Sequence, residues 1–372
     1  MKVIIPLAGK GTRMRPHTHS KPKPLLCVAG KPGLMHIFEM LKEFDDAQEK
    51  KLGSNRVSRI SELLFITGYL RDKIEGFIRK HCPYPYRFVE QKKIDGSAGA
   101  VKLVEKFVDE PVLVIFPDAI LDMDLGVIDK LNESESGVIW GMEVEDYQRF
   151  GVLVKDREGY VKEMVEKPDK PISRLANIGV YFTKDYKLLY DGIHYLYDNN
   201  IRPKGEYFFP DALDYMIQHG TKFICLQVRG WHDFGKPETM LESNRELLKK
   251  GGHKNIRKEN TENSRIIPPV HIADDVRIRG STVGPHVTIG EGTEIINSTI
   301  KESVIGEKTR LEHAHLEDSI IGDECRVSGS FKNLNIGDHC VVCSSLKSVK
   351  SVKSVTSVKS GKDKKDKKYK KD

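Results

Sequence analysis

The sequence predicts an α/β domain with a mostly parallel sheet, followed by a solenoid of short stacked strands. Three observations predict it. Apolar strand patterns alternate with amphipathic helix patterns through the first half of the chain. Between residues 137 and 182 the pattern changes to strands parted by short polar turns. From residue 265 onward short units recur, marked by Ile-Gly or Val-Gly steps with apolar residues six apart.

The first strand is the apolar run 3–7, which breaks into Ala8-Gly9-Lys10-Gly11-Thr12-Arg13. Glycines admit positive φ and close approach, so successive N–H groups can surround phosphate oxygens. Thr12, Arg13, Arg15, Lys21 and Lys23 add a hydroxyl and four cations within one short span. Such a set suits a polyanion such as a nucleoside triphosphate, although a strand-to-helix turn with a solvated basic loop would read the same on the glycines alone. The P-loop pattern is absent, and Met14 stands where a dinucleotide fingerprint needs its third glycine.

Further strands are expected at 63–67, 86–90 and 112–116, with helices at 34–44, 71–80 and 97–107 between them. The polar run 45–59 reads as a surface insertion turning at Gly53-Ser54-Asn55. Open sheets of this kind bind ligands at the carboxyl ends of their strands, which puts residues 9–13, residues 91–96 and Asp118 on one rim. Strands at 137–144, 151–155, 161–166 and 176–182 suit an antiparallel extension over that rim. Helices at 187–197 and 210–219 and a strand at 223–228 follow. Residues 230–235 read as a loop entering a helix that runs through Lys250.

Residues 251–264 form a polar linker. The units at Val283-Gly, Ile289-Gly, Ile305-Gly, Ile321-Gly and Ile336-Gly are too short to bury their own apolar face, so they must stack. The expected domains are therefore 1–250, the linker 251–264, the solenoid 265–343, and a tail, 344–372, of Ser-Val-Lys triplets and lysines. Its low complexity and like charge favour disorder.

The net charge of +7 belongs to that tail, which holds eleven lysines and three aspartates and leaves 50 basic against 51 acidic side chains elsewhere. The folded part is not a nucleic-acid binder on this balance. No apolar run reaches the length of a membrane span, and the apolar stretch after Met1-Lys2 is too short for a signal peptide, so a cytoplasmic location is expected. Six scattered cysteines suggest reduced thiols. Cys340 and Cys343 beside His339 have metal spacing without a second pair to complete a zinc site.

Leu7-Ala8-Gly9, Gly11-Thr12-Arg13, Pro16, Thr18, Pro22-Lys23-Pro24-Leu25, Val28 and Lys31-Pro32, in that order, resemble the opening signature of the sugar-nucleotide pyrophosphorylases. These enzymes join a nucleoside triphosphate to a sugar 1-phosphate. The long members end in a hexapeptide left-handed β-helix, which the solenoid resembles, behind a Rossmann-like, mostly parallel sheet domain. Three departures stand out: the glycine loop is one residue short, Pro117 replaces a usual glycine, and Lys236 a common threonine.

The resemblance implies attack of a sugar phosphate oxygen on the α-phosphorus, with expulsion of pyrophosphate and with Mg²⁺ as cofactor. It casts Asp118 and Asp233, the latter in Trp231-His232-Asp233-Phe234-Gly235, as metal ligands. Arg13, Lys23 and Lys167 join these two aspartates as catalytic residues. Leu7, Ala8, Gly9, Gly11, Thr12, Gln91 and Gly96, with Arg13 and Lys23, would bind the nucleotide. The Gln91 amide, a donor and an acceptor, favours a pyrimidine, hence dTTP or UTP. Gly151, Glu166, Lys167, Asn177 and Gly179 would bind the sugar phosphate, with glucose 1-phosphate favoured. Glu206 and Asp211 lie in a further similar stretch. The β-helix implies a homo-oligomer. A mannose-1-phosphate guanylyltransferase and a non-catalytic subunit of the same fold stay open. So does acyl transfer in the solenoid, for which His271, His286, His313, His315 or His339 would be the base.

Overall fold

The computed structural model describes residues 1–52, 58–166, 168–251 and 261–344. Thirteen strands and six α-helices make the first domain among them. In chain order they are β1 (Lys2–Pro6), β2 (Cys27–Val28), β3 (Lys31–Pro32), α1 (Gly33–Leu52), β4 (Glu62–Thr67), α2 (Arg71–His81), β5 (Tyr86–Glu90), α3 (Ser97–Lys102) and β6 (Val112–Ile115). There follow β7 (Ala119–Asp122), β8 (Gly137–Glu143), β9 (Gly151–Lys155), β10 (Val161–Glu166), β11 (Leu175–Thr183), α4 (Tyr186–Asp198), α5 (Phe209–Gln218), β12 (Phe223–Gln227), β13 (Gly230–Asp233) and α6 (Pro237–Lys249).

Apolar alternation explains the layers. On β1, Ile4 faces one way, to Leu64, Val114 and the apolar sides of α3, α4 and α5. Val3 and Ile5 face the other, to Phe65, Leu113 and the α1 residues Leu34, Ile37, Phe38 and Leu41. The order β6-β1-β4-β5 is parallel throughout. Beyond β6, β11 runs antiparallel, and β8 and β9 pair with it in turn. This part is therefore a continuation of the main sheet, where an extension over the rim was expected.

Two other expectations change. The polar run after Asp45 continues α1 as far as Leu52, because Ala47-Gln48-Glu49-Lys50-Lys51 are all good helix formers. The expected turn at Gly53-Ser54-Asn55 lies outside the described residues. Residues 230–233 form a strand, β13, paired antiparallel with β7, so that Asp233 stands opposite Ala119.

The second domain is a stack of parallel strands. Arg277 pairs with Glu294, Glu294 with Arg310, Arg310 with Arg326 and Arg326 with Val341, so the turns of the stack take 15 to 17 residues. Short strands line three columns, closing over Ile278, Ile295, Leu311 and Val327. Thr261–Glu262 already pairs with Arg277–Arg279, so the stack begins within the stretch read as a linker. Residues 252–260 and the tail from 345 lie outside the described residues.

The stack docks on the first domain through α6 and the segment after the glycine loop. Asn244 of α6 is buried; its Oδ1 accepts from Ala29 N at 2.9 Å and from Thr288 Oγ1 at 2.7 Å. Arg245 meets Glu302 at 2.8 Å. Met14, Leu26, Val28, Phe234 and Met240 share an apolar cluster with Val304 and Ile320 of the stack.

Candidate active site

The carboxyl ends of β1, β4, β5 and β6 form one edge, and the cleft lies there. Gly11 opens the turn Thr12–Met14 with φ +60, and its carbonyl accepts from Thr18 Oγ1 at 2.8 Å. A Cβ at Gly11 would lie 3.0 Å from Lys23 Cβ and 3.1 Å from Thr18 Cγ2. The glycine thus lets the loop fold back onto the residue that carries the buried cation.

Lys23 is buried, and its Nζ lies 2.7 Å from Asp118 Oδ1 and 3.2 Å from the Asp118 carbonyl. The Phe234 ring stands 5.0 Å away on the other side. Asp118 sits deep between the cleft walls, yet 72% of its side-chain surface meets solvent in the open cleft. Burial pushes its pKa up, but Lys23, by charge and hydrogen bond, and Arg13 more than offset this, so the carboxyl lies below the usual carboxylate value.

The β7–β13 pairing brings the second carboxylate alongside. Asp233 stands opposite Ala119, one residue from Asp118, and its Oδ1 accepts from Gly235 N at 2.9 Å. A Cβ at Gly235 would come 2.9 Å from that oxygen and 3.3 Å from Arg13 Nη2. Arg13, Asp118, Asp233 and Lys23 therefore converge, as the sequence led one to expect.

The second carboxylate oxygen of Asp118 and of Asp233 has no hydrogen-bond partner among the described residues. No group of three or more His, Cys, Asp or Glu able to hold a metal occurs among them either. Two half-committed carboxylates suit a hard cation that completes its shell with phosphate oxygens and water.

Two compartments meet at this point. One, of about 620 Å³, is lined by Leu7, Ala8, Gly9, Gly11, Thr12, Lys23, Gln91, Gly96 and Glu206. The other, of about 580 Å³, is lined by Gly151, Asn177, Gly179, Phe150, Trp231 and Asp233. Arg13, Ser97, Phe116 and Asp118 belong to both walls. In the first, Gln91 is buried and its Nε2 has no hydrogen-bond partner among the described residues. Gly9 has open space where a Cβ would stand. Gly96 answers to a different need: a Cβ there would lie 2.2 Å from the Tyr207 carbonyl, so the glycine serves chain packing first.

In the second compartment, Asn177 spends much of its amide on structure. Its Oδ1 accepts from Gly179 N at 2.9 Å, and its Nδ2 donates to the Tyr181 hydroxyl. Gly179 has φ +82, at the irregular step of β11. Glu166 pairs in the β10–β9 register with Gly151, which lines this compartment. Lys167 lies outside the described residues. Asp211 lines a separate cavity with Asp214.

Sequence reasoning missed the aromatic wall. Phe116, Phe150, Tyr181, Phe208 and Trp231 all face the second compartment, with Phe150 and Trp231 edge to face at 5.0 Å. An aromatic residue in a strand reads as core from sequence. Only the position of Phe150 just before Gly151, and of Trp231 two before Asp233, marks either as more. Among the described residues no group of three or more His, Cys, Asp or Glu able to hold a metal includes Cys340 or Cys343, and the six cysteines are free thiols.

The chain is 34% identical over 251 residues to the bifunctional protein GlmU of Methanocaldococcus jannaschii, a match that takes in 67% of this chain and 55% of that protein. It is 30% identical to the UTP–glucose-1-phosphate uridylyltransferase AglF of Haloferax volcanii, over 66% of this chain and 96% of that one. Among solved structures, a Bacillus anthracis chain described as a glucose-1-phosphate thymidylyltransferase superposes with a TM-score of 0.55 at 25% identity, covering 70% of this chain and 98% of that one. Among the described residues no helix is long and apolar enough to cross a membrane. Residues 2–250 match the nucleotidyl transferase family model, and the chain belongs to that family.

Proposed function

We propose that this chain transfers a nucleotidyl group from UTP or dTTP to glucose 1-phosphate, giving a nucleoside diphosphate sugar and pyrophosphate, with Mg²⁺ as cofactor. The observation that carries this reading is the meeting of two compartments at Arg13 and Asp118. A nucleotide in one and a sugar phosphate in the other would bring their phosphates together at that junction. Names carried by relatives, a uridylyltransferase and a chain described as a thymidylyltransferase, favour these bases.

The reactants are polyanions, so the protein's task is to hold both in line and offset their repulsion. The Gln91 Nε2 would donate to a pyrimidine carbonyl, and Gly9 would let the chain approach the triphosphate. Arg13 and Lys23 would neutralise phosphate oxygens as charge builds up on the leaving pyrophosphate. Glu166 and Asn177 would orient sugar hydroxyls, and Lys167 would hold the sugar phosphate. Asp118 and Asp233 would hold Mg²⁺, which when bound supplies positive charge to the phosphates.

The test is pyrophosphate release from each of the four common NTPs against glucose, mannose and N-acetylglucosamine 1-phosphates with Mg²⁺. The highest kcat/KM is expected for UTP or dTTP with glucose 1-phosphate. A preference for GTP with mannose 1-phosphate would move the assignment to a guanylyltransferase. No product from any pair would leave a binding subunit.

A further inference from the structure

The segment between the glycine loop and Lys23 touches the β-helix at three polar points. His17 Nε2 lies 2.6 Å from Asn335 Oδ1, Ser20 Oγ donates to Asp338 Oδ2 at 2.6 Å, and Lys21 Nζ meets Asp323 Oδ2 at 2.6 Å. Gly337 lets the stack and Pro16 come close, since a Cβ there would stand 3.1 Å from Pro16 Cβ. Lys23, two residues beyond Lys21, holds the Asp118 carboxylate.

Both aspartates are fixed by the stack itself. Asp323 Oδ1 accepts from Glu307 N at 3.0 Å, one turn of the stack away, and Asp338 Oδ1 accepts from Asp323 N at 2.8 Å. Each carboxylate thus has one oxygen tied to the rigid coils and the other to the loop. Asp275, in an earlier turn, also ties two turns together, accepting from Gly292 N of the following turn at 2.9 Å. Among the described residues it has no hydrogen bond or ion pair to the first domain. The two domains are also joined at a distance from the loop, through Asn244 with Thr288 and Arg245 with Glu302. Losing Asp323 therefore does not undock them.

We infer that Asp323 is a positioning residue for nucleotidyl transfer: through Lys21 it sets where Lys23 stands relative to Asp118 and the phosphates. Asp338 does the same for Ser20. The inference rests on the function proposed above, and it makes the β-helix part of the catalytic geometry. Neither Lys21 nor Asp323 lines either compartment, so loss of the ion pair should lower kcat and leave KM nearly unchanged.

The test uses the full chain with the NTP that the unmodified protein turns over, reading kcat, both KM values and Tm. Asp323→Asn can keep the acceptor for Glu307 N while removing the charge that holds Lys21. This variant and Lys21→Met should each lower kcat about tenfold with KM within about twofold. The double variant should be no slower than either single one, because both remove one contact. Asp275→Ala, which loses a carboxylate-to-backbone bond between turns of the stack, should lower Tm and leave kcat unchanged. Unchanged kcat in Asp323→Asn, an additive double variant, or an equal loss of kcat in Asp275→Ala would each overturn the positioning role while leaving the function in place. No turnover by the unmodified chain would remove the function and this role together.

Discussion

The cleft and the β-helix both bury polar side chains, and they treat them in opposite ways. In the β-helix, Ser281, Ser298, Ser303, Ser319, Thr293 and Thr309 are all buried, and each hydroxyl accepts from the backbone one turn on. Ser281 Oγ accepts from Ser298 N at 3.0 Å, and Ser298 Oγ from Ala314 N at 3.0 Å. In the cleft, the buried Gln91 Nε2 has no partner among the described residues, and Asp118 and Asp233 each leave an oxygen without one there. A repeating stack always has another turn to supply the missing bond. A cleft does not, and an unpaired buried donor costs roughly 1–3 kcal/mol. Such a group persists where a ligand completes it.

The sharpest way to separate the two regions is to remove a cleft carboxylate. Asp118→Ala or Asp233→Ala should lower kcat by about a thousandfold or more with the fold retained. Asp118→Ala also leaves the buried Lys23 unpaired and should lower Tm. Near-normal turnover in either would end its role at the phosphates. Gln91→Ala comes next: calorimetry should show NTP affinity down about tenfold, roughly 1.4 kcal/mol. Unchanged affinity would mean that the orphan amide faces no ligand.

The β-helix should answer in the other direction. Ser298→Ala strands the Ala314 N–H, so denaturant unfolding should show a loss of about 1–2 kcal/mol while kcat holds. A kcat loss with stability intact would erase the contrast.

The smallest effect is on pH. Burial lowers the pKa of His17, His36 and His232, so each is neutral when folded. Below about pH 6.5 the unfolded chain takes up protons first, and stability should fall. Asp118 runs the opposite way: its lowered pKa adds stability above the usual carboxylate value, lost only as pH drops through its own lower one. Between pH 7 and 5 the histidines should therefore decide, and a Tm that is flat or rising on acidification would contradict this.

Much of the architecture was legible because burial imposes periodicity. Tyr86–Glu90, Gly151–Lys155 and Val161–Glu166 were bounded correctly from apolar alternation alone. The β7–β13 pair was not, since Ala119-Ile120-Leu121-Asp122 is too short to show a period and Trp231-His232-Asp233 looks like a polar turn. That omission hid why Asp118 and Asp233 come together. Arg13, Lys23 and the two aspartates were readable from motif order, whereas the aromatic wall was not, because its members look like core. Contacts such as Lys21 with Asp323 leave no local trace at all: nothing in either neighbourhood names a partner three hundred residues away.

The central claim is that two compartments meeting at Asp118 take the two halves of one nucleoside diphosphate sugar. A crystal of the full chain soaked with UDP-glucose and Mg²⁺ tests it most directly. The account predicts the base against Gln91, the glucose ring beside Asn177 and Trp231, and the diphosphate between them at Arg13 and Asp118. A base lodged against Trp231, or a diphosphate remote from Asp118, would contradict it.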